Sequence, residues 1–137
     1  MRMSETIARA IADIFGRDHA RPIEWLSLLL LAVWLQFLVS QPEIFSLPRY
    51  AAFASLPTWG WASIIGGILA AQLAALWPSP HAATLRFIAM TLATGIWTVI
   101  ALSFWSTVST TPIMARTHTV IAIAVIVTAV YLGLRRR

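Results

Sequence analysis

Polar residues along this chain gather into short clusters, and the apolar residues run together between them. Four runs are long: 23–40, 59–77, 85–105 and 119–134. An α-helix rises about 1.5 Å per residue, so about 20 apolar residues cross the hydrocarbon of a bilayer. None of the four carries a charge in its middle. Glu24 and Arg86 stand at the ends of their runs, where water and headgroups are expected to solvate them. The pattern predicts an all-α fold, an integral membrane four-helix bundle. Residues 1–21 form its cytoplasmic leader and residues 22–137 its transmembrane domain.

Two segments follow other rhythms. In 4–18, Ile7, Ile11, Ile14 and Phe15 share one helical face, and Glu5, Arg9, Asp13 and Arg17 alternate in sign along the opposite one. Each acid precedes its base by one turn, the favourable order, and Ser4 suits an N-cap. An amphipathic helix is expected there, lying on the cytoplasmic leaflet, docked on a partner or packed on the protein's own loops. The connection 41–58 is divided by Pro42, Pro48 and Pro57. Its Ile44, Phe45, Leu47, Tyr50 and Phe53 are too apolar for a free loop, so part of it is expected in the membrane interface, a re-entrant hairpin being the alternative. Ala52-Phe53-Ala54 has the form of a signal-peptidase site. It lies far beyond the first run, however, and that run is long for a signal peptide, so a retained anchor is expected.

Composition agrees with oil as the main solvent. The chain is 59% hydrophobic and 11% charged, against about 25% charged in ordinary soluble domains. With no cysteine, disulfides, thiolate metal sites and cysteine nucleophiles are excluded. The net charge of +5 comes with ten arginines and no lysine. These arginines sit between apolar runs instead of sharing a face with aromatics, which argues for topology and against nucleic acid. Arg2, Arg9, Arg17, Arg21, Arg86, Arg135, Arg136 and Arg137 would share one side of the membrane, and only Arg49 and Arg116 the other. The positive-inside rule then places both termini in the cytoplasm, as expected for a multi-pass protein of a bacterial inner membrane. Trp25, Trp59, Trp61, Trp77 and Trp105 fall near the expected interfaces, while Trp34 and Trp97 lie deeper, to pack or to face lipid.

The second run is unusual in its small residues. Ser63, Gly67, Ala71 and Ala75 stand four apart, as do Ala62, Gly66, Ala70 and Ala74. Helices in lipid associate through close backbone approach, which small side chains permit. The second helix is therefore expected to be the packing centre. Ala89, Ala93 and Gly95 on the third and Ala122, Ala124, Ala129 and Gly133 on the fourth would answer it, with the leucine-rich first span facing lipid. The small face would serve neighbours within the monomer, other protomers, or both.

Candidate chemistry is sparse. Thr91, Thr94 and Thr98 share a face of the third helix and, with Gln72, would line a polar path. The alternative is that the threonines bond to their own helix carbonyls and that Gln36 and Gln72 pair between helices. His19, His81 and His118 lie near ends or in loops, and no acid follows Glu43. No catalytic group, cofactor-binding residue or metal ligand set is identified.

The chain runs from an amphipathic leader and first span through FSLPRYAAFASL to a span opening at Trp59-Gly60-Trp61 and closing at AALW. A turn then leads into LRFIAM. This order, over residues 5–106, resembles small four-span membrane proteins encoded by tailed phages and prophages, some described as holin-like on their topology. The resemblance implies a viral membrane role and carries over no site residues. Three expectations follow. The first is a self-assembling protein that permeabilises or remodels the bilayer. The second is a non-catalytic accessory or superinfection-exclusion subunit docked on another membrane protein. The third is a passive channel for a small solute or ion.

Overall fold

A computed structural model describes residues 18–107 and 112–135. The expected leader helix over 4–18 lies, save for Asp18, outside them. Four long helices follow one another: α1, Arg21–Ser40; α2, Thr58–Leu76; α3, Ala82–Ser106; and α4, Pro112–Arg135. Among the described residues there is no strand. All four helices are long and apolar enough to cross a membrane, and the chain is a multi-pass membrane protein.

Two of the helices begin at a proline. Pro22 occupies the first turn of α1, where its missing N–H removes no helical bond. Pro112 opens α4 in the same way, so that helix starts seven residues before the apolar run does and takes in Arg116 and His118. His118 is thus a residue of the second turn of α4 and not of a loop.

The helices run up and down in turn, α1 packing on α2, α2 on α3 and α3 on α4. α1 returns to α4 over a slighter contact that closes the bundle. The small-residue pattern pointed to α2 as the packing centre, and here the structure corrects the sequence. α3 buries 44% of its span against 28% for each of the others. It presents two adjacent buried rows, Ala89, Ala93, Ile96 and Ile100 beside Met90, Trp97, Ala101 and Phe104. By contrast, α2 buries Trp61, Ile65, Ile68, Gln72 and Ala75, the alternating three- and four-residue spacing of a single seam. The bulky members of α2 fill the core, and Ser63, Gly67, Ala70 and Ala74 turn outward. α1 is likewise only half lipid-facing: Leu26 and Leu29 are exposed, whereas Leu28, Leu31 and Leu38 are buried.

The 41–58 connection folds as two 3-10 turns, Ile44–Ser46 and Pro48–Ser55, that plug one end of the bundle. Ile44, Tyr50 and Phe53 are buried. Phe53 touches the rings of Trp34, Phe45, Tyr50, Trp61 and Phe104. Trp61, placed at the interface by its position in the sequence, is buried, and its indole donates to the Phe53 carbonyl at 2.8 Å. Thr58 ties the far end of the connection to the Pro42 carbonyl at 2.6 Å. Trp59, Trp77 and Trp105 do stand exposed at helix ends, where amphipathic rings suit a bilayer surface.

Candidate functional site

Up-and-down topology puts the N-termini of α1 and α3 and the C-termini of α2 and α4 at one end. At that end charge enters the bundle. Asp18 precedes α1 and accepts from the Ala20 amide at 3.1 Å, which fixes its carboxylate beside the first turn. Glu24 sits three residues into α1 and Arg86 four residues into α3, so a nearly equal rise brings them level. Arg86 Nε donates to Glu24 Oε1 at 2.8 Å, and its Nη1 lies 2.7 Å from Asp18 Oδ2. Nη2 is also 2.8 Å from Glu24 Oε1. It is not aligned for a hydrogen bond there, so that contact is an ion pair alone. Arg21 approaches Glu24 Oε2 at 3.5 Å and Arg135 approaches Asp18 at 3.8 Å.

Glu24 is 6% exposed, and the expectation that water and headgroups solvate it is corrected: Glu24 and Arg86 solvate each other. Low dielectric explains the pairing, since an isolated charge taken out of water costs far more than a paired one. For Asp18, outside the spans, burial by itself raises the carboxyl pKa. The hydrogen bonds from Arg86 and the Ala20 amide, with the charges of Arg86 and Arg135, outweigh burial and hold it below the ordinary value.

Inward from this cluster runs a second polar group. Ser27, one turn below Glu24, accepts from Gln72 Nε2 of α2 and from Trp97 Nε1 of α3, each at 3.0 Å. Both lone pairs of its oxygen are thereby used, so Ser27 is not set up as a nucleophile. Three helices meet at this one hydroxyl. Gln72 is the interhelical partner its position suggested, whereas Gln36 is exposed. Trp97 is fully buried, and beyond it come the rings of His118, Trp34 and Phe104. His118 Nδ1 bonds the Met114 carbonyl at 2.8 Å.

The expected polar path does not come together. Thr91 is exposed and Thr94 and Thr98 are half-buried; Thr94 borders the Met90–Trp97–Ala101 row, and Thr91 and Thr98 lie outside it. Their hydroxyls donate to Phe87, Met90 and Thr94 carbonyls at 2.8–2.9 Å, so each is satisfied within its own helix. Gln72 faces Ser27 and Met90 instead. Of the small residues on α2, Ala75 is buried and Gly66 and Ala71 are half-buried, while Ser63, Gly67, Ala70 and Ala74 are exposed. Gly95 on α3 is exposed too, and a Cβ added there or at Gly67 would meet nothing within 4 Å.

Chemically, the arrangement is a structural polar spine. A guanidinium does not release its proton in proteins and an indole N–H only donates, so neither Arg86 nor Trp97 hands a proton on. Among the described residues no three His, Asp or Glu side chains converge as metal ligands. Compared with family models, curated proteins and solved structures, the chain matches none, and its function is therefore argued from its own geometry.

Proposed function

We propose that this chain is a small multi-pass protein of a bacterial inner membrane that assembles with itself and permeabilises or remodels the bilayer, in the manner of a holin. One observation carries the reading: Ser63, Gly67, Ala70 and Ala74 form an outward row on α2 that no other described helix covers. Lipid gives no hydrophobic reward for covering such a row. It does allow another helix to approach it closely, which is how membrane helices associate. Exposed Trp59 and Trp77 bracket α2 and hold this row at hydrocarbon depth. The interior of a single chain is filled by Leu31, Trp97, Ile100 and Phe104, all at most 1% exposed, which favours leakage between protomers over leakage through one. A phage setting rests on the resemblance in element order.

The test is inducible expression with a membrane-potential dye. Wild type depolarises cells above a threshold expression, and Gly67→Leu, which adds bulk in open space, retains its helicity but loses both cross-linked oligomers and depolarisation. Full expression without depolarisation or growth arrest defeats the reading. Recovery in mild detergent with a second membrane protein, and never with itself, moves it to an accessory subunit.

A further inference from the structure

Between the ion pairs and the Ser27 junction lies a small cavity lined by Glu24, Gln72, Ala75, Arg86 and Met90, among others. It leaves about 10 Å³ in which the centre of a water-sized sphere can sit, room for one water and no more. Three buried polar atoms lack a hydrogen-bond partner among the described residues, and all belong to residues that line this cavity: Glu24 Oε2, Gln72 Oε1 and Arg86 Nη2. Buried polar atoms left without a hydrogen bond are rare. Arg86 Nη2 and Glu24 Oε2 keep only ion-pair contacts, at 2.8 and 3.5 Å, and three such atoms on residues around one void have a common explanation.

We infer that the cavity is a binding site for a single water molecule held by Glu24, Gln72 and Arg86. The valences select the ligand. Glu24 Oε2 and Gln72 Oε1 accept, and Arg86 Nη2 donates, so the occupant must offer two hydrogens and one lone pair in the smallest possible volume. Water does. A halide has no hydrogen for the two oxygens, and a metal cation or ammonium meets the Arg86 guanidinium with no lone pair to offer it. The Gln72 amide Nε2 is already engaged by Ser27 Oγ at 3.0 Å and Met90 Sδ at 3.6 Å, which leaves Oε1 as its unpaired end.

With the water in place, the polar groups form one connected chain from Asp18 through Arg86, Glu24, the water, Gln72 and Ser27 to Trp97. The chain joins α1, α2 and α3. It ends at an indole, so it braces the bundle without conducting protons.

Two measurements on the full chain in lipid test this. In crystals grown from a lipid phase, a density peak is expected within hydrogen-bond distance of all three atoms, about 2.7–3.2 Å, with no anomalous signal after bromide soaking. Solid-state NMR of ¹⁵N-glutamine-labelled protein in proteoliposomes should show early polarisation transfer from water to the buried Gln72 side-chain amide, resonance-assigned by Gln72→Met. In Ala75→Val, which fills the void and leaves the three polar groups in place, the peak and the transfer should vanish. An empty void in wild type, a bromide peak at the site, or transfer that survives in a correctly folded Ala75→Val overturns the inference.

Discussion

Replacing Arg86 by Met keeps the length and apolar stem of the side chain and removes the charge. Glu24, 6% exposed, would keep only Arg21 at 3.5 Å, and that partner is itself 27% exposed in its side chain. Asp18 would keep Arg135 at 3.8 Å. A solvent-exposed pair contributes about 0–1 kcal/mol, whereas removing one partner of a buried pair costs about 3–5 kcal/mol, because the remaining charge stays buried. The burial of Glu24 decides between the two, and partial compensation by Arg21 puts the loss near the lower end, about 3 kcal/mol. That is more than a hundredfold in the folding equilibrium, since each 1.4 kcal/mol is about tenfold. The double variant Glu24→Leu with Arg86→Met removes both charges and should regain most of the loss, as buried pairs replaced by apolar residues often do. Reversible unfolding in mixed detergent–SDS micelles, followed by far-UV circular dichroism, measures all four corners of the cycle. If Arg86→Met stays within about 0.5 kcal/mol of wild type, the value of an exposed pair, or the double variant is no better than the single, the pair is not the internal tie described.

Three further outcomes follow in the same assay or by thermal melting. Ser27→Ala orphans the buried Trp97 indole N–H and leaves the Gln72 amide only Met90 Sδ, and should cost about 1–3 kcal/mol; a change below about 0.5 kcal/mol contradicts the three-helix junction. Gly133→Ala places a Cβ 2.9 Å from Phe87 Cε2 and should destabilise by about 1–3 kcal/mol, whereas Gly95→Ala, with open space around it, should be neutral or gain up to about 1 kcal/mol; equal effects would refute the packing assigned to α4 on α3. The folded Asp18 carboxyl titrates below its ordinary value, so its stabilisation is fully present above that value and is lost as pH falls through the folded one. Wild type should therefore lose stability in that acid range more steeply than Asp18→Asn, and parallel acid profiles would remove Asp18 from the cluster.

Much of the fold is legible in the sequence because hydrocarbon imposes length on a span and forbids mid-span charge. The four helices and their order follow from that alone. Faces are harder to read, because in lipid both the covered and the uncovered sides of a helix are apolar. Ser63, Gly67 and Ala70 looked like the packing face of α2, yet Trp61, Ile65 and Ile68 fill the core. The charge cluster carried a readable signal that reasoning span by span passes over. Glu24 and Arg86 are each near the N-terminal end of an odd-numbered helix, and alternating topology must bring such positions to one leaflet at one depth. The Ser27 junction had no comparable signal, since one serine inside a leucine run reads as a self-satisfied hydroxyl. Trp61 looked interfacial because it sits near a span end, and only the folded-back connection, which caps that end with Phe53, buries it.

Four crossings of a membrane are directly measurable in this chain, because it has no native cysteine. Ser55 follows α1, Ser79 follows α2, and both are exposed, so single Ser55→Cys and Ser79→Cys variants can be labelled with a membrane-impermeant maleimide. Ser55→Cys should react in intact spheroplasts, and Ser79→Cys only after the membrane is opened. Labelling of both positions from the same side would contradict the four-span bundle.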